Sequence, residues 1–378
     1  MKIRALKLKD QKFSNWHTEV ENRWEYADFL NNKSWRTGWI SFDCCFYIPE
    51  TEKIYCGITS FDADIFWAFD RKSGKFVDCG FGSVRNPYDA KFHRSLVRWQ
   101  ADGCLYAAIA LLHDIDHYCD APGGAIVRYN PQTGEITKLS IPIPHHYIQS
   151  ICLAQESGII YGITFTPEKL FSFDIRTRKS RDFGPLGSGF EMGQGENVEI
   201  DSEGCVWSGW GLTRAWQSDP GPDSHRLCKY DQKTQKIKYF NAGLPNPDGS
   251  YGYSKVEGLF NLSGKLFASG ANGSLYKIDT VTGKGEYLST PVSNRQSRLA
   301  SLRMAPDGYA YGITGQDGKC ELLQFDPQNN KYNLLGEIIA CGEHCWQVHD
   351  LAITDDGVIY ACENDNPERS GYLWEIQL

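Results

Sequence analysis

The sequence predicts an all-β protein in which residues 1–378 form a single domain, a seven-bladed β-propeller of four-stranded antiparallel blades. Three observations support this fold class. A short apolar run centred on an aromatic residue recurs seven times, each run follows a polar turn that usually contains glycine, and the 13% aromatic content suits flat, packed sheets. A β-sandwich of similar strands would not explain one period repeated seven times.

The recurring run predicts the second strand of each blade. Its aromatic residue recurs with a mean separation of about 51 residues, which is the length of a propeller blade. The seven positions are Tyr55, Tyr106, Tyr161, Trp207, Phe267, Tyr311 and Tyr360.

The segments around each run predict the remaining strands. An alternating or apolar segment precedes each turn, as in residues 95–99 and 350–354, and predicts the first strand. Six units continue with a third strand that ends in Asp or Asn and a polar hairpin, as in residues 69–74 and 129–134.

The two ends of the chain are predicted to complete the last blade. That blade stops after its third strand, residues 372–376, so we expect residues 3–8 to supply its outer strand and cover two open edges. Trp16, Val20 and Trp24 have fourfold spacing and predict one short helix before the first blade.

Composition limits the classes of partner and the compartment. The net charge is −8 and no block of Lys and Arg occurs, which argues against nucleic-acid and membrane-surface partners. No run of 18 apolar residues occurs, and the first residues lack the apolar stretch of a signal peptide. The 13 cysteines are odd in number and several lie inside strand-like runs, which favours a reducing compartment. We therefore expect a cytoplasmic protein.

A propeller has a central channel, and loops of neighbouring blades converge on each of its mouths. Several histidines cluster in loops that are predicted to lie at one of these mouths. His93 precedes a first strand and His113 follows the second strand of the same blade, while His146 and Tyr147 open the next blade. Imidazoles that titrate near neutral pH, beside a phenol, can form a general acid/base set. For a single histidine, a surface or core role is the alternative interpretation. Tyr161 belongs to the recurring run and is a weaker candidate.

A second constellation contains thiols and imidazoles at short spacing: Cys341, His344, Cys345 and His349. Such side chains can ligate zinc tetrahedrally, although this spacing matches no standard zinc motif closely. The alternative interpretation is two packing cysteines and two channel histidines.

Several of these segments resemble one family. Residues 92–96, His113 and residues 121–131 resemble the seven-bladed propeller polysaccharide lyases, of which the ulvan lyases and rhamnose-glucuronate lyases are the nearest groups. Residues 363–366 and 369–373 look like the last blade of that family. The likeness spans most of the chain as architecture, and its specific part is the pair of histidines.

The resemblance implies β-elimination at a uronic acid of a small oligosaccharide. The family's histidine positions fall on His93 and His113, and we chose Tyr147 as the proton-transfer phenol because it begins the next first strand. The loop of the third blade lacks the family's Arg, so Lys169 or Arg214 is expected to bind the carboxylate, with His146 beside it. Tyr161 with Arg178 is the alternative pairing. A divalent metal, zinc or calcium, is the possible cofactor.

Two other functions are compatible with the same fold. One is a non-enzymatic propeller that binds a protein or a glycan. The other is a metal-dependent propeller hydrolase or lactonase, for which Glu196, Asn197, Asn364 and Asp365 could supply some ligands.

Overall fold

The computed structural model describes residues 1–20, 25–165, 167–187, 197–212, 225–292 and 298–378. In these ranges the chain is mostly antiparallel β-strand. The short helical elements are α1 (Trp16–Glu19), α2 (Tyr26–Asn31) and α3 (Lys33–Gly38), with 3-10 turns at Pro49–Thr51, Phe81–Ser83, Ile115–His117 and Ala271–Gly273. Within the described ranges, we find no helix with the length and apolar character needed to span a bilayer.

The strands of the first half form consecutive antiparallel meanders after an N-terminal strand. They are β1 (Lys2–Leu6); β2 (Ser41–Ile48), β3 (Lys53–Thr59), β4 (Phe66–Asp70) and β5 (Lys75–Asp78); β6 (Asp89–Arg98), β7 (Leu105–Leu111), β8 (Ile126–Tyr129) and β9 (Ile136–Ser140); and β10 (Tyr147–Ala154), β11 (Ile159–Phe165), β12 (Lys169–Asp174) and β13 (Lys179–Pro185). Pairing of Thr59 with Lys91 joins the first two meanders into one eight-stranded sheet.

The second half repeats this pattern, with two small two-stranded sheets between the meanders. Its strands are β14 (Glu199–Ile200), β15 (Val206–Trp210), β16 (Arg226–Asp231) and β17 (Lys236–Tyr239); β18 (Leu244–Pro245) and β19 (Tyr253–Ser254); β20 (Val256–Leu262), β21 (Lys265–Gly270), β22 (Leu275–Asp279) and β23 (Lys284–Ser289); β24 (Leu299–Met304), β25 (Ala310–Thr314), β26 (Glu321–Asp326) and β27 (Lys331–Glu337); β28 (Ile339–Ala340) and β29 (Glu343–His344); and β30 (Val348–Ile353), β31 (Ile359–Glu363) and β32 (Leu373–Gln377).

The seven recurring apolar runs are second strands, as predicted. Each lies in the middle of a meander, in β3, β7, β11, β15, β21, β25 or β31, and its aromatic side chain is buried. An aromatic side chain on a middle strand is covered on both sides by neighbouring sheets, which explains why this position is the most regular feature of the sequence.

The Asp at the end of a third strand closes the hairpin that follows it. Asp70 Oδ1 accepts the backbone N–H groups of Lys72 and Ser73 at 2.8 and 3.1 Å. These bonds favour the ionised carboxylate and hold the pKa of Asp70 below its ordinary value. Asp279 makes the same two bonds in its own hairpin.

The N-terminal strand completes the last sheet, which confirms the predicted pairing. β1 runs antiparallel to β32, from Lys2 opposite Gln377 to Leu6 opposite Leu373. Ile3 pairs opposite Ile376 and packs against the apolar cluster that contains the buried Trp374.

A short helix at Trp16 was predicted before the first blade, and the structure has three short helices there, α1, α2 and α3. Trp16 and Val20 belong to a small apolar cluster as expected, but helices α2 and α3 add Phe29 and Trp35 to it. Asn32 separates these two helices because its backbone is extended and its side chain accepts the first N–H groups of α3. Trp24 lies outside the described residues.

The first strands of the meanders lie next to one another around a common centre. Contacts link β2 to β6, β6 to β10, β10 to β14, β14 to β20, β20 to β24, β24 to β30, and β30 back to β2. Polar side chains from these strands are therefore brought together at the centre of the molecule.

Candidate active site

A β-bulge in several first strands points a polar side chain toward the centre. In β2 the residues flanking Asp43 pair with consecutive residues of β3, which leaves Asp43 without an opposite residue. Gln149, Glu257 and His349 occupy the same irregular position in β10, β20 and β30. All four are buried. A bulge re-aims a side chain, so this recurring irregularity gathers a layer of polar groups.

Strand β6 carries a larger irregularity at its predicted catalytic histidine. Phe92 pairs with Ile109 and Leu96 with Ala107, so three residues of β6 face a single residue of β7. The middle one, Arg94, has a φ of 34°, which is uncommon for a residue with a side chain. This kink places His93 among the polar groups of the neighbouring strands.

These groups surround a cavity of about 550 Å³, which we call the polar cavity. This volume lies in the range of small-molecule sites. The lining residues are Lys91, His93, Tyr147, Lys255, Glu257, Gly270, Ala271, Asn272, Arg298, Gln316, Gln347, His349, Asn364 and Asp365.

Two imidazoles and a phenol meet in the polar cavity. The ring centroids of His93 and His349 are 4.4 Å apart. His93 Nδ1 lies 2.7 Å from the carbonyl oxygen of Gln149, and the Tyr147 hydroxyl donates to Gln149 Oε1 at 2.5 Å. Gln149 therefore holds both a histidine and the tyrosine in fixed orientations.

Asp43 lies beneath this group and is fully buried. Its Oδ1 atom is 3.1 Å from Lys91 Nζ and 3.3 Å from His349 Nδ1, and its Oδ2 accepts the Thr59 hydroxyl at 2.6 Å. Burial raises the pKa of Asp43 to about 6, against the opposing effect of the Lys91 ammonium.

One part of the wall carries a network of two guanidinium groups and one carboxylate. Glu257 Oε1 accepts Arg298 Nε at 2.5 Å and Arg94 Nη2 at 2.8 Å. Arg94 Nη1 also donates to the Glu257 carbonyl at 2.6 Å. Arg298 lines the polar cavity together with Lys255, so this wall presents two cationic side chains to a ligand.

Of the three predicted catalytic residues, His93 and Tyr147 line the polar cavity and His113 does not. The His113 ring packs edge-on against Tyr88 and Tyr118, and its Nδ1 lies 2.9 Å from the carbonyl of Asp114. The reason is a long-range contact: the Asp114 carboxylate accepts the backbone N–H groups of Tyr26 and Ala27 at 2.6 and 3.0 Å. These bonds tie the loop after β7 to α2, away from the polar cavity.

The predicted substrate-binding residues do not line the polar cavity in the described part of the chain. His146 is buried beside Tyr118, with Nδ1 2.9 Å from the Pro144 carbonyl. Lys169 Nζ lies 3.5 Å from Asp182 Oδ2, where a third strand meets a fourth strand.

Arg214 lies outside the described residues. In the alternative pairing, Tyr161 is a buried core residue packed against Tyr230, and Arg178 occupies the hairpin between β12 and β13.

The predicted zinc constellation is not assembled. Cys341 is exposed in the turn between β28 and β29, and His344 is also exposed. Cys345 is buried in an apolar cluster with Cys320, where burial raises its thiol pKa. His349 lines the polar cavity instead. Within the described ranges, no three His, Cys, Asp or Glu side chains are arranged to hold a metal ion.

The ligands considered for a hydrolase or lactonase are also dispersed. Asn197 exchanges two hydrogen bonds with the backbone of Leu259, at 2.9 and 2.8 Å. Asn364 and Asp365 line the polar cavity, where Asn364 Nδ2 donates to Asp365 Oδ2 at 2.9 Å. Glu196 lies outside the described residues.

The sequence reasoning missed the charged side chains Lys91, Lys255, Glu257 and Arg298. The available signal was a charged residue inside, or just before, an otherwise apolar first strand. A charged residue is rarely buried without a partner, and here Asp43 supplies the partner of Lys91 and Glu257 that of Arg298.

Comparison with known proteins gives matches of structure alone. No protein-family model and no curated protein matches the sequence. The structure is similar to the extracellular domain of the putative one-component system BT4673 from B. thetaiotaomicron, with a TM-score of 0.59 and 10% identity over 89% of this chain. This chain covers 38% of that domain.

Two further matches cover nearly the whole of both chains. The structure of U3-55K has a TM-score of 0.60 and 10% identity, over 90% of this chain and 96% of that one. The WD40 repeats of RRP9 have a TM-score of 0.60 and 9% identity, over 90% and 94%. WD40 repeats form β-propellers, so the fold of this chain is propeller-like.

Proposed function

We propose that the protein is a lyase that cleaves uronate-containing oligosaccharides by β-elimination in the polar cavity. The observation that carries the proposal is the presence of His93, His349 and Tyr147 in one cavity with Arg298 and Lys255. The resemblance of residues 92–96 to propeller polysaccharide lyases supports the same reaction class.

The groups in the cavity match the needs of this elimination. The substrate carboxylate must be neutralised before the weakly acidic C5 proton can leave, and Arg298 with Lys255 can supply that charge. An imidazole takes the C5 proton, the electron pair of the C–H bond forms the C4–C5 double bond, and the C4–O bond breaks. Tyr147 protonates the departing oxygen.

The architecture that we propose for this site is a closed ring of seven blades. The order of contacts among the first strands, from β2 round to β30 and back to β2, supports it. Each of the seven recurring runs then belongs to one blade, and β1 completes the last one.

The activity is tested by incubating the protein with a panel of glucuronate- and galacturonate-containing oligosaccharides. The conjugated double bond of the product absorbs ultraviolet light, and we expect the absorbance to rise with time. His93→Ala and Tyr147→Phe should each reduce the rate about 10²- to 10⁴-fold. His113→Ala should leave the rate within about threefold, because that ring lies outside the polar cavity.

A folded wild-type protein that gives no absorbance on the whole panel would contradict the proposal. So would a His113→Ala variant that loses as much activity as His93→Ala. Circular dichroism and thermal unfolding of each variant separate a loss of chemistry from a loss of fold.

A second candidate function is binding of an anionic glycan without turnover. It is favoured by the similarity to the extracellular domain of a putative one-component system, because such a domain fits ligand binding as well as catalysis. Isothermal titration calorimetry with the same oligosaccharides distinguishes the two functions. Binding that Arg298→Met weakens, with no absorbance at saturating ligand, would select this candidate over the lyase.

A further inference from the structure

We propose that the protein has a second small-molecule site, on the other side of the bulged layer from the polar cavity, and that this site binds a medium-chain fatty acid. The inference does not depend on the lyase function. It is carried by a separate cavity, by the apolar side chains of its walls and by one arginine.

A cavity of about 520 Å³, which we call the second cavity, lies among the same first strands as the polar cavity. In β6, Lys91 and His93 line the polar cavity, and residues 94 and 96–98 line the second cavity. Arg298, just before β24, lines the polar cavity, and residues 303 and 304 of that strand line the second. Among the residues that the structure describes, His349 is the one that lines both. The two cavities therefore follow one another along the centre of the molecule.

The walls of the second cavity are mostly apolar, unlike those of the polar cavity. Leu96, Ile151 and Leu351 come from three different first strands, and Phe260 and Met304 come from two more. A strand advances about 3.3 Å per residue, so the wall formed by residues 350–353 is about 10 Å deep. Walls of this kind favour an apolar chain, because burial removes the surface of the chain from water.

One guanidinium group in these apolar surroundings can bind a carboxylate. Arg303 lines the second cavity, and 52% of its side chain is exposed. In the part of the chain that the structure describes, this guanidinium makes one hydrogen bond, from Nη2 to Asp350 Oδ1 at 3.1 Å. A guanidinium has five N–H donors in a planar fork that matches a carboxylate, so Arg303 keeps donors for a ligand. The other two arginines of the second cavity, Arg94 and Arg98, each pair with a glutamate.

The acidic side chains of the second cavity leave part of this positive charge available. Asp350 divides its charge among three donors, because its carboxylate also accepts the Ser301 hydroxyl at 2.8 Å and the Cys45 N–H at 3.2 Å. Burial raises the pKa of Glu199, which favours its neutral form. Asp355 is exposed in the turn after β30, where solvent screens its charge. An apolar chain with one carboxylate, as in a fatty acid, therefore matches both the walls and the charge.

A methionine methyl group is a reporter inside the second cavity. The chain has three methionines, Met1, Met192 and Met304, of which Met304 lines this cavity. Nuclear magnetic resonance of protein labelled with ¹³C at the methionine methyl groups gives one signal for each, and Met304→Leu identifies that of Met304. Octanoate should shift the Met304 signal in a saturable way and leave the exposed Met1 unchanged. No saturable shift of Met304, or an equal shift of Met1, would overturn the inference.

Two related probes separate the carboxylate from the chain. Acetate has the carboxylate without the chain, and 1-octanol has the chain without the charge. In isothermal titration calorimetry, both should bind at least about tenfold more weakly than octanoate. Octanol that binds as tightly as octanoate would overturn the role of Arg303, and acetate that binds as tightly would overturn the fatty acid as ligand. Glucuronate-containing oligosaccharides should leave Met304 unchanged, and a shift would show that the second cavity binds glycan instead.

Arg303→Gln tests the guanidinium while it keeps a donor for Asp350. Octanoate binding should weaken about 10- to 100-fold. Octanol binding should stay within about threefold, which shows in the same protein that the cavity is intact. Arg181→Gln is the matched control, because Arg181 is an exposed arginine of β13 that donates to Gln235. It should leave octanoate binding within about twofold. An Arg303→Gln protein that binds octanoate as the wild type does would contradict the proposal.

Discussion

At the scale of single residues, the polar cavity is built from charges that neutralise one another across neighbouring strands. Asp43 faces Lys91 and His349, and Glu257 faces Arg94 and Arg298. A buried charge is costly when it loses its partner, so these residues depend on one another for stability as well as for any chemistry.

The raised pKa of Asp43 predicts a specific dependence of stability on pH. A folded-state pKa of about 6, above the unfolded value of 3.8, means that the folded state holds this proton more tightly. The corresponding stability is fully present below about pH 4 and is lost as the pH rises toward 6. The unfolding free energy of the wild type, relative to Asp43→Asn, should therefore fall by about 3 kcal/mol across this window.

Urea unfolding at several pH values measures this difference. Asp356→Asn is the control for the direction of the pH effect on the unfolding free energy. The Arg71 guanidinium holds the pKa of this exposed carboxyl below its ordinary value. The wild type should therefore lose stability relative to Asp356→Asn as the pH falls below about 4, and the difference should stay nearly constant between about pH 5 and 6. Parallel curves for wild type and Asp43→Asn would show that Asp43 titrates normally in the folded state.

At the scale of elements, the sequence was informative about second strands and poor about first strands. A middle strand such as β11 is covered on both sides, so its apolar run recurs with a regular period. A first strand combines apolar residues with one bulged polar residue, such as Gln149, and from sequence alone that residue cannot be told from a turn.

The difference between local sequence pattern and long-range contact explains which predicted site residues line the polar cavity. His93 lies at the bulge in the middle of β6 and Tyr147 opens β10, and both line the polar cavity. His113 was misplaced because a long-range contact, from Asp114 to the backbone of α2, sets the path of its loop. No local pattern in residues 113–120 reports that contact.

We predict that Gly124, at the junction between neighbouring sheets, does not tolerate substitution. A Cβ atom on Gly124 would lie 2.2 Å from the Ile109 carbonyl oxygen and 3.0 Å from the Ile148 nitrogen, both of them backbone atoms. Gly124→Ala should therefore lower the unfolding free energy by about 1–3 kcal/mol or more, because two strands must move apart. Chemical denaturation measures the loss.

Gly82→Ala is the matched control for this substitution. Its new Cβ would meet only Asp64 Oδ2, at 3.4 Å, and Gly82 lies in a short helical turn where alanine is well tolerated. We expect a change within about 0.5 kcal/mol. Equal losses for the two variants would mean that β7, β8 and β10 do not pack as closely as described.

At the scale of the whole molecule, the local charge of the site differs from the overall charge. The chain carries a net charge of −8, yet Lys91, Lys255 and Arg298 all line one cavity at the centre. The lining also contains Glu257 and Asp365, so the cavity balances cations against carboxylates instead of repeating the acidic surface. A net charge calculated from the sequence therefore says little about which ligand this site prefers.

The two ends of the chain pair with each other in the last sheet. β1 covers the edge of β32, and Ile3 packs against the apolar cluster around Trp374. Removal of residues 1–8 should expose that edge and lower the unfolding free energy by about 3 kcal/mol or more, with a tendency to associate through the open strand. Thermal unfolding and size-exclusion chromatography measure the two effects.

The matched control for this truncation separates strand pairing from an ion pair on the same strand. Arg4 lies 2.6 Å from Glu375, but half of the Arg4 side chain is exposed to solvent. Arg4→Ala should therefore cost less than about 1 kcal/mol and leave the protein monomeric or unchanged in its association state. If the truncated protein matched Arg4→Ala in both measurements, β1 would be dispensable for stability and for protection of the β32 edge.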